Sequence, residues 1–281
     1  DLSVDVEARI GDQAPKLLVG AAVALDVAGN FVNQGLGPAA PAWSGGKISL
    51  KSAHGLETQP GSSMDVSGGV TLGSSGAVKG TAAGSISLLA NAQTVSGSAL
   101  APLMLASTLS GYGLQKGASL SLRANQIDIQ PGLNASETQR LVLGTEFFSK
   151  GGFSGLDLTA DAGLNVTSGT VLMPTQESWQ TTAQTRYAPT GSRLSVVMAK
   201  ARLRDEFRAP VDLVLRAGTL SHQGVKIEQD AQVLLEPGAN LTVSAPQTIE
   251  MMGALVVPGG KVSLTTDNPA QAQFTNPGVL H

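Results

Sequence analysis

The sequence predicts an all-β fold in which short strands stack as a parallel β-helix, a solenoid whose successive turns pair with one another. Three observations lead to this prediction: a glycine-led strand phrase that recurs, alternation of apolar and polar residues within it, and a surface poor in charge. The chain has 281 residues, of which 34 are glycine and 14% are charged, whereas an ordinary soluble domain has about 25% charged residues. Many short strands joined by tight turns of Ser, Thr, Asn, Gln and Gly would have this composition.

The recurring phrase is a glycine followed by an apolar–polar–apolar triplet. It occurs at 46–50, 84–88, 117–122 and 260–264, and related triplets lie at 64–66, 127–129, 156–158, 164–166 and 241–243. Alternation places the two apolar side chains on one face of the strand. So short a strand becomes stable only when it is stacked on neighbours about 4.8 Å away.

The spacing of the phrases predicts the length of one turn. Leu241 and Val262 are 21 positions apart, which predicts a turn of about 20 residues with three short faces. The intervals from Ile48 to Ile86 and from Ile86 to Leu120 are 38 and 34 positions, so we expect loops to lengthen some turns. The alternative fold is a β-sandwich with turns about every 8–12 residues, but a sandwich gives no reason for one phrase to recur.

Two segments interrupt the strand pattern. Residues 133–150 predict a short helical insertion, because Ser136 could cap a helical turn that ends near Leu143. Residues 174–209 carry much of the charge and few triplets, which predicts a loop or helical excursion, with a candidate helix from Leu194 to Arg208. The predicted organisation is therefore β-helix turns over 1–173, the excursion over 174–209, and further turns over 210–281.

Composition excludes several classes of protein. Disordered chains combine low hydrophobicity with high net charge, whereas this chain is 42% hydrophobic with a net charge of −3. The 18 Lys and Arg are outnumbered by 21 Asp and Glu and form no basic run, which argues against a nucleic-acid partner. There is no cysteine, so disulfides and thiolate sites are excluded. No apolar run reaches the roughly 18 residues of a membrane span, and the first residues do not resemble a signal peptide, which we would expect upstream of this sequence.

Several phrases together resemble one protein family. They are Met64–Gly69, Thr108–Gly113 with Lys116–Leu122, Glu146–Phe153 leading into Gly169–Pro174, and Leu255–Leu264. In this order they resemble the large exoproteins of the filamentous haemagglutinin type, which bacteria export by two-partner secretion, and the resemblance spans about residues 20 to 265. The family's N-terminal secretion domain, a toxin domain and an Arg-Gly-Asp motif are not recognisable.

The resemblance implies a fold, a location and partners. The fold would be a right-handed parallel β-helix, and the protein would be secreted through an outer-membrane two-partner transporter to the bacterial surface. Its other partners would be the flanking β-helix of a longer exoprotein and a glycan or host-cell receptor. We therefore expect a structural and adhesive rod that attaches to host cells, other bacteria or biofilm matrix through many weak contacts. A passive stalk that presents a distal toxin or adhesin domain is an alternative.

Catalysis is not expected, and neither is a metal or cofactor. His54, His222 and His281 have no second ligand at metal-binding spacing. There is no nucleophile elbow and no phosphate-binding loop.

Three aspartates keep an enzyme open as an alternative function. Paired carboxylates on a β-helix surface are typical of carbohydrate-active enzymes, and Asp65, Asp128 and Asp157 occupy the middle positions of triplets. Alternation also accounts for them, because the middle position faces solvent.

Aromatic and cationic residues supply the candidate binding site. Trp43, Tyr112, Trp179 and Tyr187 could offer flat faces to sugar rings or pad loops. We favour loop padding over sugar binding for all four residues, and this preference is weakest for Trp179 and Tyr187, which lie in the excursion. Arginines beside those two could engage an acidic polymer or simply be solvated. The predicted glycan or receptor contacts are Trp179, Tyr187, Arg193, Arg202 and Arg204. Asparagine sequons at Asn134, Asn165 and Asn240 could be glycosylated, although their number is what chance gives.

Overall fold

The computed structural model describes residues 1–6, 16–37, 40–90, 102–136, 139–218 and 224–266. His222, His281 and the end of the predicted 210–281 segment lie outside these residues. Within them the chain is mostly strand, and most strand pairs are parallel. The predicted all-β class is therefore confirmed. The described residues contain no helix long and apolar enough to cross a membrane.

Strands in the first part of the chain are mostly three to six residues long. In chain order they are β1 (Leu2–Val6), β2 (Leu17–Val19), β3 (Ala24–Asp26), β4 (Phe31–Asn33), β5 (Lys47–Ser52), β6 (Leu56–Thr58), β7 (Ser63–Asp65), β8 (Val70–Leu72), β9 (Val78–Gly80), β10 (Ser85–Ala90), β11 (Leu103–Leu105), β12 (Thr108–Ser110) and the longer β13 (Ala118–Gln130).

The second part adds further strands and short helical segments. The strands are β14 (Ala135–Ser136), β15 (Arg140–Gly144), β16 (Phe153–Val166), β17 (Val171–Leu172), β18 (Glu177–Thr181), β19 (Met198–Arg202), β20 (Asp212–Ala217), β21 (Val225–Ile227), β22 (Gln232–Leu234), β23 (Asn240–Ala245), β24 (Ile249–Met251), β25 (Ala254–Val256) and β26 (Lys261–Thr266). The helical segments are 3₁₀ helices at Thr145–Ser149, Ala183–Arg186 and Asp205–Phe207 and the single-turn helix α1 (Leu194–Val197).

One large sheet runs through the molecule, with its strands in the order β1-β5-β10-β13-β16-β20-β23-β26, all parallel. Its register aligns the apolar residues of the recurring phrase in a column: Ile48, Ile86, Leu120, Leu156, Leu213, Leu241 and Val262. All of these except Val262 are buried, and burying one such side chain stabilises the fold by about 1.5–3 kcal/mol. Alternation thus gives the sheet one continuous apolar face.

Smaller parallel sheets flank the large one. They have the orders β2-β6-β11, β3-β7-β12, β4-β8-β9 and β17-β22-β25, with only β9 antiparallel to its neighbour. The C-terminal halves of β13 and β16 form a further row, β15-β13-β16-β21-β24. The chain therefore returns to the same sheets in the same order: β1 to β4, then β5 to β8, then β10 to β12.

Glycine begins the recurring phrase because successive strands approach closely there. A Cβ on Gly84 would lie 1.7 Å from the carbonyl oxygen of Gly46. A Cβ on Gly117 would lie 1.7 Å from the carbonyl oxygen of Gly152. Any side chain at these two positions would push neighbouring strands apart, so the glycine is part of the strand-pairing signal.

We call the number of positions between paired residues on neighbouring strands of the large sheet the return length. It varies along the chain, as the expected lengthening of some turns allows. Ile48 pairs directly with Ile86, and Ile86 pairs directly with Leu120, so 38 and 34 positions each make a single return. The interval of 21 positions is also one return, from Leu241 to Val262. In the return from Ile48 to Ile86, the additional residues include strands β8 and β9, and β8 pairs with β4 of the preceding return.

The helix predicted within 133–150 is wrong for most of its length. Arg140–Gly144 is strand β15, and only Thr145–Ser149 is helical. Leu141 and Leu143 are buried beside Ile127 and Ile129 of β13, because burial in the sheet outweighs the local capping signal. Glu137 and Thr138 lie outside the described residues.

The helix predicted from Leu194 to Arg208 is likewise reduced to one turn. Leu194–Val197 is α1, and the next residues form β19, which pairs antiparallel with β18. Within the 174–209 excursion the two strands form a β-ribbon outside the parallel sheets. Trp179 of β18 and Met198 of β19 are buried in an apolar cluster, so the ribbon packs against the rest of the protein.

Candidate functional site

The excursion covers a second apolar core beside the parallel sheets. This core contains Phe31, Val70, Leu72, Tyr112, Trp179, Ala188, Leu194, Val197 and Met198. Buried Asn33 of β4 fastens the excursion, because its side-chain amide donates hydrogen bonds to the carbonyls of Arg186 (3.1 Å) and Ala188 (3.0 Å). The segment predicted as a binding loop is therefore also a packed cover.

Trp179 is buried, in agreement with the favoured interpretation of loop padding, and its proposed contact with a glycan is wrong. It is 1% exposed and packs against Tyr112 with ring centroids 4.9 Å apart. Its backbone N–H donates to the carbonyl of Gly113 at 2.9 Å. Lys200, which is exposed, lies opposite Trp179 in the ribbon, and its ammonium lies 4.5 Å from the centre of the Tyr112 ring.

The other predicted contact residues are exposed but are not gathered around one cavity. Tyr187 is 80% exposed and lines a cavity of about 420 Å³ with Thr181 and Thr185, which none of the predicted arginines lines. Arg193, Arg202 and Arg204 are exposed, and Arg202 lies opposite Glu177 in the β18–β19 ribbon.

The neighbouring Arg208 has a different role from the exposed arginines. Its side chain is buried, forms an ion pair with Glu236 and donates to the carbonyl of Leu203 at 2.9 Å, so it anchors the end of the excursion.

The better candidate site is a groove of about 650 Å³ that sequence reasoning missed. We call it the aromatic groove and define it by Leu105, Leu109, Tyr112, Leu133, Phe147 and Phe153. Glu146, Lys150, Glu177 and Asn134 add polar groups to its wall. Its volume is within the range of about 300–1,000 Å³ typical of ligand sites, and it combines apolar and polar groups as such sites do.

The groove exists because two small sheets end there. Strands β11 and β12 are the last strands of their sheets. The chain that follows β13 forms the β14–β15 pair and the 3₁₀ helix Thr145–Ser149 instead of another pair of such strands. The backbone of Gly111 donates to the carbonyl of Gly151 at 2.7 Å and holds the two sides together. Sequence analysis did not find this groove, because its lining comes from segments that are distant in sequence, at 105–112, 132–153 and 177.

Two of the three charged residues that line the groove pair with each other. Lys150 and Glu146 form an exposed ion pair of 2.5 Å, which lowers the pKa of Glu146 and raises the pKa of Lys150. Burial, followed by the charges of Glu177 and Asp65, raises the pKa of Tyr112 to about 12. The Tyr112 hydroxyl is therefore a neutral hydrogen-bonding group at physiological pH.

A second cavity, of about 410 Å³, is polar and lies on the outer face of β16, β21 and β24. It is lined by Gln126, Asn165, Lys226, Glu228 and Glu250, without any aromatic side chain. Glu228 accepts hydrogen bonds from the backbone N–H of Ser168 (2.9 Å) and the side chain of Asn165 (3.0 Å), which lower its pKa. A general acid of a glycosidase needs a raised pKa instead, so Glu228 does not suit that role.

The three aspartates considered for catalysis each have a structural partner. Asp128, expected to be exposed, is buried and accepts from Arg140 at 3.1 Å, because β15 adds a strand beside it. Asp157 pairs with Arg216 at 2.6 Å, and its pKa is raised because burial outweighs the opposing effect of Arg216. Asp65 accepts from the backbone N–H of Ser67.

Neither a metal centre nor a relative adds to this description. No cluster of three or more His, Asp and Glu residues that could hold a metal ion occurs in the part of the chain that the structure describes. Comparison with protein-family models, with curated proteins and with solved structures finds no match to this chain.

Proposed function

We propose that this chain is a length of right-handed parallel β-helix that serves as a structural and adhesive rod in a secreted bacterial exoprotein of the filamentous haemagglutinin type. The observation that carries the proposal is the in-register return of the chain to the same sheets, with Ile86, Leu120 and Leu156 stacked in one buried column. Stacked turns of this kind form an elongated structure, because each turn packs on its neighbours and no large globular core is needed.

The last described strand of the large sheet is consistent with a rod that continues into a flanking turn. Among the described residues, β26 ends the strand order and pairs with β23. Its apolar residues Val262 and Leu264 are half-buried, whereas Leu241 and Val243 of β23 are fully buried. A further turn stacked on β26 would cover both apolar residues.

The adhesive part of the proposal rests on the resemblance of the sequence and on the aromatic groove. Two of the phrases that carry the resemblance, Thr108–Gly113 and Glu146–Phe153, meet at this groove. An exposed cavity on a rigid rod is well placed to contribute one of many weak contacts along a fibre. Secretion through a two-partner transporter and display on the bacterial surface are part of the same proposal.

Paired cysteines test the stacking directly, because the chain contains no cysteine of its own. Ser49 and Ser87 are register partners on adjacent strands, and Ser121 is the next residue in that row. The double variant Ser49→Cys/Ser87→Cys should form a disulfide rapidly under mild oxidation, because neighbouring strands lie about 4.8 Å apart. Non-reducing peptide mapping would detect it.

The matched control is Ser49→Cys/Ser121→Cys. These two positions are separated by one intervening strand, roughly 9.6 Å, which is too far for a disulfide. Equal cross-linking of both pairs, or of neither, would overturn the stacked arrangement. Adhesion is measured separately by the retention of host cells, bacteria and biofilm matrix on the immobilised chain, and no retention on any of them would leave a passive stalk.

A further inference from the structure

We infer that the aromatic groove binds a neutral oligosaccharide, with the apolar faces of the sugar rings packed against Phe147 and Leu133. This inference deepens the proposed adhesive function and rests on it. It assigns the ligand to a place outside the predicted contact set of Trp179, Tyr187, Arg193, Arg202 and Arg204.

The walls of the groove have the two kinds of surface that a pyranose ring requires. A sugar ring has an apolar C–H face and a rim of hydroxyl groups. Phe147 is half-buried and Leu133 is 86% exposed, so both offer apolar area to such a face. Glu146 and exposed Asn134 can accept and donate hydrogen bonds to hydroxyls at the rim.

The floor of the groove is rigid. Phe153 and Leu109 are buried in the main core, and Phe148 packs edge-on against Phe147 with ring centroids 5.6 Å apart. The side-chain oxygen of Asn134 accepts from the backbone N–H of Gly144 at 2.8 Å, which fixes the loop carrying Leu133. A preformed wall reduces the entropy lost on binding.

Charge favours a neutral ligand over an anionic one. Glu146 is paired with Lys150, and Glu177 lies against Tyr112 and opposite Arg202. The lining of the groove carries two carboxylates and one ammonium, with Lys200 and Arg202 beside it, so the lining itself has no excess of positive charge that would attract an added sulfate or carboxylate.

The edge of the sheet disfavours a peptide that binds as an added strand. The backbone N–H of Leu105 on β11 already donates to the hydroxyl of Ser136 at 3.0 Å. Strands β11 and β12 are each only three residues long. A peptide would find few free backbone groups, and main-chain hydrogen bonds supply most of the affinity in that binding mode.

The test uses the 281-residue chain on an array of neutral, sialylated and sulfated oligosaccharides together with extended peptides. We expect binding to neutral oligosaccharides, and the strongest of these then serves as the titration ligand. Leu133→Arg should weaken its binding at least tenfold without loss of stability, because Leu133 is exposed and makes little packing. Phe147→Ala should weaken binding to a similar degree.

Exposed aromatics outside the groove provide the controls. Tyr187→Ala and Trp43→Ala should change the affinity by less than twofold, since neither residue lines the groove. The inference is overturned if only anionic glycans or peptides bind, if no probe binds, or if Leu133→Arg leaves neutral binding unchanged. The cysteine cross-link separates the two proposals: a chain that cross-links as expected but binds no neutral glycan retains the rod and loses this ligand.

Discussion

The N-terminal region, residues 16–130, and the C-terminal region, residues 210–266, build the same large sheet with returns of very different length. Ile48 and Ile86 are 38 positions apart, whereas Leu213 to Leu241 takes 28 and Leu241 to Val262 takes 21. Strand pairing and core alignment are nevertheless the same in both. The recurring strand phrase therefore specifies the sheet, and the length of chain between phrases is free to vary.

The N-terminal region uses its additional residues to build a second core. Strands β4 and β8 contribute Phe31, Val70 and Leu72, and the excursion packs over them. The described C-terminal region has no apolar cluster apart from the main one. The long return thus creates an apolar surface on β4 and β8, which the excursion covers. The same excursion places Glu177 in the wall of the aromatic groove.

The largest expected effect is the loss of the main core in either region. Ile86→Asp and Val243→Asp each place a carboxylate at a position 1% exposed or less, which should cost more than about 5 kcal/mol of unfolding free energy because the charge is buried without a partner. Denaturant melts followed by circular dichroism measure the loss. We expect similar losses at the two sites, since both lie in the same sheet.

The controls for this comparison are the neighbouring residues on the opposite face. Ser87→Asp and Thr242→Asp change half-buried middle positions and should cost within about 0.5 kcal/mol. An unchanged melt for Ile86→Asp would contradict the stacked core. A much smaller loss at Ile86 than at Val243 would mean that the long returns of the N-terminal region tolerate damage to the sheet.

The recurring phrase predicted the all-β class and the apolar residues of the large sheet, because each triplet carries its own alternation and its own glycine. The intervals of 38 and 34 positions were expected to contain loops, whereas part of the chain between Ile48 and Ile86 forms the further strands β8 and β9. The helical prediction for 133–150 failed at Leu141 and Leu143, where pairing with β13 decides the conformation. The site prediction failed at Trp179, because its burial depends on Phe31 and Val70, more than a hundred positions earlier.

An intermediate effect is expected from removing the cover of the second core. Trp179→Ala should cost about 3–5 kcal/mol locally, as deletion of a buried aromatic does, and should open the excursion while leaving the large sheet paired. Trypsin then cleaves after Arg186, Arg193 and Arg202 at least tenfold faster than in the unchanged chain. Trp43→Ala, at a tryptophan that is 67% exposed, should leave the cleavage rate unchanged, and equal acceleration by both variants would contradict the covering role.

The smallest effect is an alkaline loss of stability that is confined to the N-terminal region and arises at Tyr112. The folded pKa of about 12 is above the ordinary value of 10.0, so the folded state holds this proton more tightly than the unfolded state does. Its contribution to stability is therefore complete below pH 10 and is lost as the pH rises toward 12. Tyrosinate absorbance in a Tyr187→Phe variant isolates Tyr112, since the chain has two tyrosines.

Glu177→Gln sharpens this measurement. It should lower the Tyr112 midpoint, because the charge of Glu177 raises that pKa, but the midpoint should remain above 10 since burial is the larger cause. Lys200 lies over the ring and stays in place in both variants. A midpoint near 10 in the Tyr187→Phe protein would mean that water reaches Tyr112. In that case the excursion would not seal the second core, and the two regions would differ in return length alone.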